Sequence, residues 1–333
     1  MATTKGRYLG DVIAITPPFG VLDILHSDDE RASARAEEFF FAHIENPNTR
    51  AAYQRAVKGF FLYIRKNGIE HFSQVTPVVV SRWVQEMKAT ALETATIKQR
   101  LAAVKGFLDY LATGGIIPSN PAISVRGPKY SASRGKTPVL TGAQAAQLLE
   151  SIDISTAGGL RDRALIALMT YTFARIGAAT QMTVGDLFYE RNRLWVRLRE
   201  KGGKRHEMPC HHTLEDYLID YLEKTGLKDQ TEKPLFPTLQ SRGWGKRQMF
   251  TERALDRKEA WAMVKRRGAA SGLKTSVMNH TFRGTGITSY LENGGILERA
   301  RAMANHSSTK TTQLYDRRSD RATLDDVERI RLE

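Results

Sequence analysis

Apolar side chains recur with a helical period over most of the chain. Tyr53, Val57, Phe60 and Ile64 lie four, three and four residues apart, so they share one face of a helix. Val80, Trp83 and Met87 repeat the pattern. Ile97, Leu101, Val104, Leu108 and Leu111 extend it along a third segment, whose polar side carries Lys98, Arg100 and Lys105. Pro47, Gly68, Pro77, Gly114 and Gly115 punctuate these segments. Residues 37–126 are therefore expected to form an all-helical domain of four or five helices. Residues 1–36 lack the period and carry the acidic run Asp28, Asp29, Glu30, which predicts a partly ordered leader.

Between Pro121 and Thr141 the period lapses. Residues 127–139 are rich in Pro, Gly, Ser and basic side chains, a linker composition whose positive charge fits a path along DNA. The second domain is expected over 140–333. It opens with helices at Thr141–Leu149 and Leu160–Phe173. Leu194, Val196 and Leu198 then alternate with Arg193, Trp195, Arg197 and Arg199, the period of two of a strand. Lys201-Gly-Gly-Lys204 supplies turn residues, Arg205–Met208 returns, and Pro209 ends the pair. Beyond it the chain reads as helical to its end. The fold class is mainly α with a small β-sheet (α+β).

Charge narrows the functional class. A length of 333 residues fits about two domains. Lys and Arg number 50 against 36 Asp and Glu, a formal +14, and the excess concentrates after residue 127. A surplus of that size points to a polyanionic partner, because basic proteins bind nucleic acid by neutralising phosphates and releasing counterions. An anionic membrane would satisfy the same arithmetic, but there is no apolar run of spanning length and no basic amphipathic tail. No secretory signal is expected from the N-terminal residues. Cys210 is the single cysteine, which excludes an internal disulfide and Cys-based zinc fingers. The expectation is a cytoplasmic, nucleic-acid-binding protein.

Several side chains could act on a phosphodiester. His280 and Arg283, three apart on a helix, aim at one point: a guanidinium can clamp a non-bridging oxygen while an imidazole moves a proton near neutral pH. His306 precedes Tyr315 by nine residues, and Asp316, Arg317 and Arg318 follow. A tyrosine in such a charged setting can be a covalent nucleophile if a base takes its proton and cations stabilise the oxyanion. Arg175 ends an apolar helix, and Lys204 and Arg205 on a basic hairpin can reach a DNA groove. Lys98, Arg100 and Lys105 form either a solvated face or a phosphate-contacting one. Cys210-His211-His212 reads as structural, since adjacent residues cannot share one tetrahedral zinc with good geometry. No carboxylate cluster suited to Mg²⁺ is evident, so neither metal nor other cofactor is expected.

In order and spacing these residues resemble the tyrosine recombinase (phage integrase) family, its Xer-like and Cre-like members. The residues are Arg175, a lysine in a β-turn, His280-x-x-Arg283, and His306 nine before Tyr315. Asn48-Thr-Arg-Ala-Ala-Tyr53 and Asn120-Pro121-Ala122 are similar to landmarks of the family's leading domain, so roughly residues 38–320 fit. The resemblance implies a SAM-like core-binding domain and a catalytic domain closing as a C-shaped clamp on duplex DNA. It implies a site-specific recombinase that cuts and rejoins strands through a 3′-phosphotyrosine and a Holliday junction. Tyr315 would be the nucleophile, Arg175 and Arg283 the holders of the non-bridging oxygens, and Lys201 the general acid, with Lys204 as its competitor. His280 would be the proton acceptor or donor, and His306 the second donor to the phosphate.

The implied partners are double-stranded DNA bearing an inverted-repeat site and a homo-tetramer in the synapse, or one shared with a partner recombinase. A helix at about 322–333, with Leu324, Val327 and Ile330 on one stripe, could pack back on its own domain; the resemblance implies instead that it exchanges between protomers. The setting would be a bacterial or phage-like nucleoid. Three positions depart from the family pattern. Ala178 stands where an acidic residue usually follows the first arginine, with Glu207 or Asp186 as candidates to replace it. Asn305 stands for a common glycine, and Gly284 for a frequent histidine. A type IB topoisomerase-like relaxing enzyme and a non-catalytic DNA-binding regulator are the rival readings.

Overall fold

The computed structural model describes residues 30–69, 71–129, 135, 137–200, 205–242, 247–316, 327, 328 and 330. The chain divides into two compact units at Ser131/Ala132.

The first unit holds α1 (Glu30–Glu38), continued by a π-helical turn Phe39–His43, then α2 (Pro47–Lys66), α3 (Pro77–Ala89) and α4 (Thr94–Thr113). Pro47 and Pro77 each sit in a first turn, where a missing N–H costs nothing. Ahead of them the side chains of Asn46 and Thr76 accept hydrogen bonds from the exposed first-turn amides. The core is aromatic: Phe39 meets Phe107 edge-on at 5.4 Å, and Phe60 meets Trp83 at 5.0 Å. The Asn48–Tyr53 and Asn120–Ala122 landmarks are internal staples. Arg50 donates to the Ile44 carbonyl at 2.9 Å, and Asn120 donates to that of Lys105 at 3.1 Å.

Part of the expected leader is instead helix. Glu30–Glu38 forms α1 with Ala32 and Ala36 buried, because two methyl side chains four apart suffice for a seam against larger neighbours. Residues 1–29 lie outside the described residues.

The second unit contains α5 (Gly142–Glu150), α6 (Ala157–Tyr171), α7 (Ile176–Ala179), β1 (Leu187–Glu190), β2 (Arg193–Arg199), β3 (Arg205–Pro209) and α8 (His212–Thr225). There follow β4 (Pro237–Arg242), β5 (Arg247–Ala254), α9 (Arg257–Ala270), α10 (Asn279–Glu292), α11 (Leu297–Met303) and α12 (Thr309–Gln313). Strands β1, β2 and β3 form an antiparallel sheet in that order, with Val196 opposite Met208 and Arg199 opposite Arg205. Leu194, Val196 and Leu198 point inward as their alternation requires, each burial contributing about 1.5–3 kcal/mol.

Two strands were not legible as such. β4 and β5 pair antiparallel where the sequence reads as helix, because their alternation is mostly between polar side chains and leaves little hydrophobic period. Helix α6 is buried nearly all round and packs against α8 and α10. A buried ion triad fixes its start: Asp162 accepts from Arg161 at 2.7 Å and from Arg267 of α9 at 2.8 Å. Among the described residues no helix is long and apolar enough to cross a membrane.

Candidate active site

Three loops converge beside α10, and each is shaped by its local sequence. The first follows α6. Phe173 takes a left-handed conformation, φ 55°, which is strained for an aromatic residue and turns the chain abruptly. Arg175 then becomes the N-cap of α7, its side chain partly exposed. The second loop closes α11 with a Schellman motif: the His306 N–H donates to the Arg301 carbonyl, and that of Asn305 to Ala302. Asn305 occupies the left-handed C′ position, φ 45°. Glycine and asparagine are the residues that tolerate it, which explains the substitution noted in the sequence. The third is the α12 turn, where the Tyr315 N–H donates to Thr312.

Helix α10 supplies the floor, and it approaches closely because of two glycines. A Cβ on Gly286 would fall 1.9 Å from the Thr170 carbonyl oxygen at the end of α6. One on Gly284 would sit 3.0 Å from the Val139 side chain and 3.3 Å from the Tyr315 ring, so the bare backbone lets both approach the helix closely. Arg283 is fully buried and donates to the carbonyls of Phe173 and Ala304, tying the first two loops together. Its guanidinium is also coupled electrostatically to Tyr315. The third loop is held by Thr288, whose hydroxyl donates to the Tyr315 carbonyl at 2.8 Å, and by Gly135, whose N–H donates to Leu314 at 2.8 Å.

The imidazole of His306 lies parallel to the Tyr315 ring, with centroids 5.9 Å apart and planes at 11°. Its Nδ1 meets Thr312 Oγ1 at 2.9 Å; in the tautomer where Nδ1 accepts, Nε2 carries the proton. Burial pushes the His306 pKa down to about 3, helped by the charges of Arg283 and Arg175 and by His280. His280, although exposed overall, is also held below the ordinary histidine value. Crowding of its ring by protein comes first, followed by Arg283 and Arg175. The Arg283 guanidinium falls to about 10, through burial and then repulsion from Arg175, countered by Tyr315 and Glu200. These side chains, Glu200 included, are thus one electrostatic cluster, and near neutral pH both imidazoles are uncharged.

The structure brings together Arg175, His280, Arg283, His306 and Tyr315 of the expected residues. Lys201 and Lys204 lie outside the described residues. Arg205 is exposed at the start of β3, opposite Arg199. In the other unit, Lys98 and Lys105 share a face of α4, whereas Arg100 lies about 160° round the helix from Lys98 at 3.6 residues per turn. The sequence reading that gave all three one polar side is corrected accordingly. Lys105 also donates to the Ile123 carbonyl at 3.1 Å, a structural use of its ammonium.

Sequence reasoning missed one group. The carboxylate on Arg175 comes from Glu200, at 2.6 Å, and not from either candidate. Glu207 pairs with Arg197 across the sheet, and Asp186 caps its own turn at Thr183 and faces Arg199. The alternation of β2 could have pointed to Glu200, since it continues the inward row of Leu194, Val196 and Leu198. Cys210 and His211 have packing roles in this unit. The thiol is buried and its pKa pushed up to about 12, while His211 caps α8 and stacks on Tyr171 at 4.4 Å.

Comparison with known proteins places this arrangement. Residues 138–321 match the phage integrase family, and residues 40–115 match the phage integrase N-terminal SAM-like domain. Tyrosine recombinase XerD of Staphylococcus epidermidis is 26% identical over 272 residues, covering 80% of this chain and 87% of that protein. That of Staphylococcus haemolyticus is 26% identical over 287 residues, covering 84% and 92%. In fold, the chain is similar to XerH site-specific recombinase bound to a palindromic difH substrate, at a TM-score of 0.66 and 19% identity over 81% of this chain and 76% of that one. It is similar also to a lambda integrase tetramer bound to a Holliday junction, at a TM-score of 0.66 and 15% identity over 88% and 79%. With more than half its length inside one family model and the leading domain matched as well, the chain belongs to the tyrosine recombinase, or phage integrase, family.

Proposed function

We propose that this protein is a site-specific DNA recombinase that breaks and rejoins strands through a 3′-phosphotyrosine. The observation that carries the reading is the convergence of Tyr315 with two arginines and two neutral imidazoles contributed by three separate loops and one helix. Tyr315 Oη attacks the scissile phosphorus and the bond to the 5′-oxygen breaks. Arg175 and Arg283 take the charge gathering on the non-bridging oxygens. The phenolic proton passes to His280, which is uncharged at neutral pH and so able to accept it. Lys201 protonates the departing 5′-oxygen, and His306 donates to the phosphate. Because the bond energy is kept in the protein–DNA ester, the reverse attack by a 5′-hydroxyl of a second duplex completes the exchange, and two such exchanges pass through a Holliday junction.

Assembly on DNA would be a homo-tetramer on paired inverted-repeat sites, or one shared with a partner recombinase. Most of the terminal segment, residues 322–333, lies outside the described residues, but Val327 and Ile330 of its apolar stripe are exposed. A cavity of about 970 Å³, lined by Leu149, Tyr171, Met208, Tyr290 and Met303 among others, supports the reading that a protomer receives a neighbour's terminal segment. The basic linker at 127–139 and the Lys98 and Lys105 face would contact phosphates.

The test begins by selecting a binding duplex from a random library with the full chain, then nicking it near its centre so that the cleaved strand cannot be resealed. A covalent adduct that disappears in Tyr315→Phe is the expected result. Binding without any adduct would favour a non-catalytic regulator. Relaxation of a plasmid lacking the selected site would favour a topoisomerase.

A further inference from the structure

Arg175 pairs with Glu200 across two elements of this unit. The acid is almost wholly buried, side chain 3% exposed, whereas the base is 35% exposed. The position is imposed by register: β2 sends every second side chain inward, and after Leu194, Val196 and Leu198 the next inward residue is Glu200. A carboxylate in an apolar row loses hydration that only a close cation can offset. The first turn of α7 packs against β2 and brings that cation, so one edge of the Arg175 guanidinium is occupied by Glu200 Oε2 at 2.6 Å. The rest of the fork remains for a phosphate. Glu200 acts on the second arginine too. Arg175 repels Arg283, and Glu200 counters that repulsion. It is also the residue directly before Lys201 in the chain.

We infer that Glu200 is a positioning residue for phosphoryl transfer, a resident counter-ion that fixes the edge Arg175 presents to the scissile phosphate and holds two like charges together before DNA arrives. It takes the place left by Ala178, which is buried in α7 three residues beyond Arg175 and has no group to offer. The inference rests on the reading of Arg175 as a phosphate ligand. Because Glu200 itself is negative, its removal does not weaken the general attraction for DNA. What is lost is orientation, so the rate of cleavage suffers and the affinity does not.

The experiment measures single-turnover adduct formation and equilibrium binding on the selected, nicked duplex for the wild-type chain, Glu200→Gln, Glu200→Ala and Glu207→Gln. Expected for both Glu200 variants is cleavage slower by about 10–100-fold, the usual scale for losing a group that orients a ligand, with Kd within about 3-fold of wild type. Glu207→Gln, whose partner lies on the sheet, should match the wild type. A second duplex carries a methylphosphonate at the scissile position, which removes one charged oxygen and with it most of the need for Arg175. There the deficit of the Glu200 variants should shrink to within about 3-fold of the wild type, an outcome that a general loss of fold would not produce. Equal rates for wild type and Glu200→Gln on the phosphate would overturn the inference, as would an undiminished deficit on the methylphosphonate. Absence of adduct with the wild-type chain would instead overturn the proposed function, and this inference with it.

Discussion

Replacing Arg283 by methionine sets two large opposing quantities against each other. The guanidinium donates to the Phe173 and Ala304 carbonyls, and hydrogen bonds from a charged donor contribute about 1.5–3 kcal/mol each, so their loss costs roughly 3–6 kcal/mol. Against this, burial and then repulsion from Arg175 hold the arginine's pKa well below its ordinary value, at about 10. That depression means the folded state carries the charge at neutral pH against a penalty of about 3 kcal/mol, at 1.36 per pKa unit, and methionine removes it. Methionine also fills much of the same volume without strain. The net expectation is a folded variant destabilised by roughly 0–3 kcal/mol, a fall in Tm of at most about 12 °C for a unit of this size. Adduct formation on the nicked duplex should drop by at least about 100-fold, since a preorganised cationic donor to the transition state is gone. Thermal melts followed by circular dichroism, with the trapping assay beside them, read both. A variant unfolded at 25 °C would show that the two carbonyls outweigh the buried charge. Cleavage within a few-fold of the wild type would remove Arg283 from the phosphate site altogether.

Other outcomes follow from the same geometry. His306 has its pKa depressed to about 3 from 6.5, so the folded state binds fewer protons than the unfolded chain; its stabilisation is complete above pH 6.5 and lost as pH falls towards 3. The Tm of the wild type should therefore decline more steeply between pH 6 and 4 than that of His306→Gln, and parallel curves would contradict the assignment. Gly286→Ala forces a methyl onto the Thr170 carbonyl, which cannot yield as a side chain could. It should destabilise by about 1–3 kcal/mol in a denaturant titration despite alanine's better helix propensity. Gly59→Ala, in the middle of α2 with nothing within 4 Å of the new Cβ, should stabilise by roughly 0.4–1 kcal/mol. Similar effects at the two glycines would refute the close-approach argument.

Much of this molecule was readable from spacing. The apolar positions of α2, α3 and α4 recur at three and four, and Pro47 and Pro77 mark where two of those helices begin. The β2 alternation was equally plain, because one face of that strand is core. What escaped reading depended on partners distant in the chain. Glu200 and Arg175 are 25 residues apart, and nothing local announces that a strand end and a helix start will meet. The β4–β5 hairpin escaped for the opposite reason, since a mostly polar ribbon has too little apolar contrast to reveal its period. Arg100 is close to Lys98 in sequence, but the turn of α4 carries it to another side of the helix. His280, Arg283, His306 and Tyr315 were found by type and order, while their convergence belongs to tertiary packing.

Arg283, anchored on Phe173 and Ala304, makes two left-handed corners mechanically one piece. Anyone wishing to graft this chemistry onto a new scaffold would have to transplant that rivet and both corners as a single insert, for moving either corner alone would drag the other off its mark.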